Sequence, residues 1–188
     1  GGLFNNNDAS ISGIDLEYAY VVNADLTLGG SYTSTDSEYA AGSIGYANDP
    51  SYSGLAAATR DVSGQRVNDD AESSLTFYLD HTVPAYWGGE RYTRYNVSWR
   101  DERTSAINPE LKIKALYLAN IIVGWKSSDG VWDASFFVKN ITDDVDLSHI
   151  QAFYSDYHLP GGGSLPSKFY AANTNMGRQL GAQLVYNF

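Results

Sequence analysis

Apolar and polar residues alternate one for one through seven separate runs of this chain, and stretches without any such period lie between some of them. In ISGIDLEYAYVV, Ile14, Leu16, Tyr18, Tyr20 and Val22 fall on one side, with Asp15, Glu17 and Ala19 on the other. A period of two marks a β-strand between two different environments. After the turn residues Asn23-Ala24-Asp25, LTLGGSYTSTDSEY opposes Leu26, Leu28, Gly30 and Tyr32 to Thr27, Gly29, Ser31 and Thr33, which predicts an antiparallel hairpin. SSLTFYLDHTV sets Leu75, Phe77, Leu79, His81 and Val83 against Thr76, Tyr78, Asp80 and Thr82. RYTRYNVSWRDER sets Tyr95, Val97 and Trp99 against Arg94, Asn96, Ser98 and Arg100. ALYLANIIVGWK and VWDASFFVKNITDD repeat the pattern, and MGRQLGAQLVYNF closes it with Leu180, Ala182, Leu184, Tyr186 and Phe188 on one side.

Two arginines and several carboxylates on the second side would be costly in a dry soluble core, but they cost little in a wide wet lumen. The connections run short, long, short, moderate, short, long. The segments from about Tyr39 to Ser73 and from about Asp143 to Asn175 are too long to be structureless loops of a compact soluble domain. Transmembrane β-barrels have short periplasmic turns, longer external loops and aromatic residues at both edges of a lipid-facing band. The fold class expected is therefore all-β, an antiparallel transmembrane β-barrel. A terminal aromatic such as Phe188 gains nothing in water and does gain at such an aromatic edge.

Composition narrows the partners. Fifteen Tyr, four Trp and eighteen Gly suit hairpins with aromatic-ended strands. With no Cys there is neither a disulfide framework nor a thiolate-held metal. A net charge of -10 argues against nucleic acid, because no basic stripe is present to neutralise phosphates. No run of about 18 apolar residues exists, which excludes a helical span and leaves a barrel untouched. The start, GGLFNNNDAS, has no secretory signal, which an exported protein needs at synthesis, so processing or truncation is expected to have removed it.

Some features are more specific. FFVKNITDD ends a strand at Asn140 with Asp143 three residues on; a long segment, the pair Gly177-Arg178 and a terminal strand closing on Phe188 follow. Together with the Gly13-Ile14-Asp15 start of the first hairpin, these residues resemble the C-terminal end of a TonB-dependent outer-membrane receptor. Gln179, Gly181, Leu184, Tyr186 and Phe188 resemble the C-terminal signal read by the barrel-assembly machinery. The resemblance implies a barrel of about twenty-two strands around a plug domain. Residues 1–188 would be seven C-terminal strands of it, with the plug and earlier strands outside this chain. It also implies uptake of a scarce solute, such as a ferric siderophore, haem, cobalamin or an oligosaccharide, driven by TonB with ExbB and ExbD. The partners expected are the rest of the barrel, its plug, outer-membrane lipid and a small-molecule ligand; no cofactor is expected.

Candidate contact residues fall in two places. Phe153, Tyr154, Tyr157 and His158 lie in one external segment, and aromatic rings there offer large contact area at low entropic cost. His149, His158, Asp146 and Asp156 share that segment, but their spacing matches no zinc or calcium pattern, so no metal is expected. Arg94 and Arg100 in the lumen would either steer an anionic chelate or belong to a charge ladder, and the ladder is favoured. Asp15 and Glu17 have no partner acid, and neither Ser73 nor any other hydroxyl stands at a convincing offset from His81, so no enzyme is expected. The alternatives are a passive porin and a soluble β-barrel binding protein.

Overall fold

The computed structural model describes residues 7–46, 59–67, 70–104, 112–158 and 164–188. The strands in chain order are β1 (Ala9–Asn23), β2 (Leu26–Tyr39), β3 (Ile44–Tyr46), β4 (Thr59–Asp61), β5 (Ser73–Pro84), β6 (Glu90–Arg100), β7 (Arg103–Thr104), β8 (Lys112–Ile113), β9 (Leu116–Lys126), β10 (Trp132–Lys139), β11 (Leu147–His158), β12 (Ser164–Thr174) and β13 (Gln179–Tyr186). Seven of them form one antiparallel sheet in the order β1-β2-β5-β6-β9-β10-β13. These are the seven alternating runs, and each pairs with the next in sequence. Neither β1 nor β13 has a second partner among the described residues, so the sheet is an open wall.

Register carries the alternation from strand to strand. Tyr20 stands opposite Leu28, Leu28 opposite Leu79, Leu79 opposite Tyr95, and Tyr95 opposite Ile121. The row continues through Val138 to Leu180. Because a one-residue slip would move every side chain to the other face, this unbroken row shows that the apolar positions share one face of the whole wall. That face is unusually open: Leu180 and Leu184 are 67% and 66% exposed, and Tyr18, Leu16 and Phe136 are all more than half exposed. An apolar sheet face of this extent is a surface made to be covered.

Aromatic residues border it at both ends. Tyr32, Trp99 and Tyr117 lie in one cross-strand row through Leu75 at the long-connection end. At the short-turn end, Trp132 packs against Tyr186 with ring centroids 4.7 Å apart, and Tyr186 against Phe188 at 6.2 Å. Trp125 is there too, donating its indole N–H to the Gly88 carbonyl at 2.8 Å. Tyr117 and Trp125 are eight residues apart on β9, about 27 Å of extended strand. Tilted by the roughly 35–45° of barrel strands, that length rises about 20 Å, a little short of the roughly 25 Å apolar band of transmembrane barrels.

The opposite face is polar and contains a recurring device. Gly29, Gly124 and Gly181 each lie directly across from an aromatic residue, namely Tyr78, Tyr92 and Phe137. In each pair the ring occupies the space a β-carbon on the glycine would need. The ring covers backbone that glycine leaves bare, as in aromatic rescue of strand glycines. Tyr92 goes further, reaching across β9 to donate its hydroxyl to Asp133 on β10 at 2.8 Å.

The long connections hold more order than their composition predicts. Among the described residues three two-stranded antiparallel pairs stand outside the wall: β3 with β4, β7 with β8, and β11 with β12. The last is substantial, with Phe153 opposite Phe169 and Tyr157 opposite Leu165.

Candidate functional site at the long-connection end

Every long connection leaves the wall at one end, and the polar face there is crossed by hydrogen-bonded side chains that root these connections. The first root belongs to the segment between β2 and β5. Ser37, fully buried on β2, donates to Asp70 at 2.6 Å. Arg66 donates to the Thr35 carbonyl at 2.7 Å and sits 3.3 Å from the same Asp70 carboxylate. Thr35 and Ser37 continue the polar side of β2, so this segment is pinned to the inner edge of the wall.

The second root is larger. Asn140, at the end of β10, is 5% exposed and has φ of 51°, a left-handed conformation that asparagine tolerates better than most residues. Its side-chain amide donates to the carbonyls of Asp144 at 3.0 Å and Met176 at 3.1 Å. Its side-chain oxygen accepts from the Asp144 N–H at 3.1 Å and the Thr142 hydroxyl at 3.2 Å. Its own N–H donates to the Asn120 side chain at 2.8 Å, and Asn120 in turn donates to Asn96 at 2.7 Å. A relay of three asparagines therefore runs across β6, β9 and β10 into the segment that leads to β13.

Asp143, also left-handed at φ of 57°, accepts the Arg178 N–H at 2.7 Å, and the Arg178 guanidinium donates to the Ile141 carbonyl at 3.0 Å. A β-carbon on Gly177 would stand 3.0 Å from the Asp143 carboxylate. The Asn-Ile-Thr-Asp and Gly-Arg stretches, more than thirty residues apart, thus form one joint at which the β11–β12 hairpin leaves and rejoins the wall. Lys114 pairs with Asp144, which also accepts the Tyr117 N–H at 2.9 Å. The ammonium and that N–H hold the Asp144 carboxyl below its ordinary pKa.

The expected contact residues part company here. Arg100, on the polar face of β6, pairs at 2.7 Å with Asp146, whose side chain is 3% exposed. Asp146 also takes its place at the hairpin base, where its N–H donates to Asn175 at 2.7 Å. Arg100 is thereby an anchor for the hairpin, and Asp146 is committed to it; the chain pattern showed Arg100 on the polar side but gave no sign of a partner forty-six residues away. Arg94 pairs with Asp80 at 3.4 Å and lies over the Tyr92 ring at 5.1 Å, in the wet part of the wall. Both arginines therefore sit in wall-to-wall or wall-to-loop pairs. Phe153, Tyr154, Tyr157 and His158 are on β11, with His149 and Asp156; their side chains lie outside the described residues. The terminal residues Gln179, Gly181, Leu184 and Tyr186 are on β13, with Phe188 just beyond it.

Replacing Arg100 by Met is expected to loosen the hairpin base without dissolving the wall. Arg100 is about one-third exposed, so solvent screens part of the pair, and a cost of about 1–2 kcal/mol is expected rather than the full penalty of a stranded buried carboxylate. Amide exchange at Asp146 and Asn175 should quicken by about tenfold while β6 and β9 stay protected. Equal quickening throughout the wall would contradict a local anchoring role.

By sequence, the chain matches no family model and no curated protein. By structure it superposes along nearly its whole length on the ferric yersiniabactin uptake receptor FyuA from Yersinia pestis, with a TM-score of 0.70, 15% identity, and 97% of this chain against 24% of that one. The wall has the fold of part of a TonB-dependent receptor barrel. The siderophore receptor PiuA from Acinetobacter baumannii matches likewise, with a TM-score of 0.66 and 11% identity over 95% of this chain and 22% of that one. This chain spans about a quarter of the length of these receptors. At such low identity the likeness is one of fold.

Proposed function

We propose that this chain forms part of the wall and external loops of an outer-membrane receptor that takes up a scarce solute, a ferric siderophore or similar chelate, with energy supplied through TonB. The observation that carries the reading is the superposition of wall and loop-bearing end together on two siderophore receptors. The wall's apolar face would meet outer-membrane lipid, and its open edges β1 and β13 would pair with the remaining strands of the barrel. A plug would fill the polar side. The β11–β12 hairpin would reach outside the cell, with Phe153, Tyr154, Tyr157 and His158 as ligand contacts. No step in this role is catalytic.

The test is uptake of radiolabelled iron by Gram-negative cells that make the complete receptor and lack their own, offered a panel of ferric chelates. Accumulation of one chelate, abolished when TonB is deleted, is the expected result. Solute entry indifferent to TonB, together with a steady ionic conductance in planar bilayers, would instead mark a passive porin.

A further inference from the structure

The apolar face holds a trough at its short-turn end that the uptake role does not use. Its floor is made by Ala134 on β10 and Ala182 on β13, the small residues in rows otherwise filled by Phe136, Trp125 and Leu184. Trp87, 69% exposed on the β5–β6 turn, lines it together with Arg91, and the hollow amounts to about 580 Å³. Arg91 lies opposite Trp125, so it belongs to the apolar face. Its neighbour Glu90 is on the other face, opposite Lys126.

Among the described residues Arg91 has no ion pair, whereas Arg66, Arg94 and Arg100 each have a carboxylate. A guanidinium without an ion pair, lining the same hollow as the indoles of Trp87 and Trp125 at the rim of a lipid-facing band, suits a phosphodiester. An acyl chain attached to that phosphate would run directly into the alanine-floored trough.

We propose that Arg91 and this trough bind one anionic glycerophospholipid of the periplasmic leaflet, with its phosphate on the guanidinium and one acyl chain along Ala134 and Ala182. The inference rests on the outer-membrane reading above, which makes the short-turn end periplasmic. Arg91 is the specificity element, because a net-negative head group gains more from an unpaired cation than a zwitterionic one does.

The complete receptor, extracted in mild detergent, would be titrated with phosphatidylglycerol or phosphatidylcholine and its lipid adducts counted by native mass spectrometry. One phosphatidylglycerol is expected to be retained with about fivefold preference. Arg91→Gln should remove the preference and Arg91→Lys should keep most of it, both variants migrating as folded barrels on unheated gels. Equal retention of the two lipids, or a preference unmoved by Arg91→Gln, overturns the lipid site and leaves the membrane reading standing. A receptor that stays soluble without detergent and retains neither lipid overturns both.

Discussion

Replacing Asn140 by Ala should lower the stability of the folded wall by about 4 kcal/mol. The substitution strips partners from two carbonyls and one N–H in a site that is 5% exposed, and each stranded group there costs about 1–3 kcal/mol. It also places a β-carbon-bearing residue without asparagine's local hydrogen bonds at φ of 51°, which adds about 1 kcal/mol. The midpoint of thermal unfolding, followed by the loss of β-sheet circular dichroism, reports the change. Asn140→Gly separates the two contributions, since glycine accepts the backbone angle and lacks the amide. If Asn140→Ala melts with the wild type, the joint is not what holds the hairpin base to β10 and β13.

Gly124→Val is the second large effect, with an expected loss of about 3 kcal/mol. The Tyr92 ring fills the volume the new side chain would enter, and the backbone of β9 is held on both sides by ladders to β6 and β10, so it cannot retreat. The ring must swing away and surrender its hydroxyl bond to Asp133. A double-mutant cycle makes the mechanism specific. Tyr92→Ala should cost clearly less in the Gly124→Val background than in the wild type, because the two changes remove the same contact. Strict additivity of the two, measured by chemical denaturation in detergent, would mean that the valine acts through something other than the ring.

The wall was legible in the sequence because a sheet with one apolar and one polar face imposes a period of two on every strand, and that period survives large changes of residue. Leu79, Tyr95 and Ile121 differ in shape, yet all three answer to the same side. The hairpins in the long connections were not legible for the complementary reason. LSHIQAFYSDYH mixes His149, Phe153 and Tyr157 on alternate positions with Ile150, Tyr154 and His158, so neither side reads as buried, although the backbone is a strand throughout. Turn-rich composition similarly hid the three-residue strands β3 and β4.

The site divides along the same line. Arg94 and Arg100 could be placed on the polar side from spacing alone, and both are there. That Arg100 anchors a hairpin through Asp146 depends on a contact between distant segments, as does the meeting of Asn140 with Met176 and of Asp143 with Arg178. Resemblance picked out Asn140, Asp143 and the Gly177-Arg178 pair as a motif, and only the folded chain shows that they form one joint. Asp146, which spacing grouped with His149 and His158 as a conceivable ligand, is instead spent on Arg100.

The strand order has a consequence for how such a wall comes into being. Every ladder in the sheet joins strands that follow one another in the sheet along the chain, so the pairings at the short turns close loops of only a few residues. Loop-closure entropy is smallest for those pairings and grows only slowly for the three long excursions. Each strand of the wall therefore pairs with its neighbour along the chain, and the wall can grow one hairpin at a time from any turn. The slow step for a barrel containing it is then the seam, where the first strand must find the last, and the kinetics of assembly should track that single non-local event rather than the number of strands.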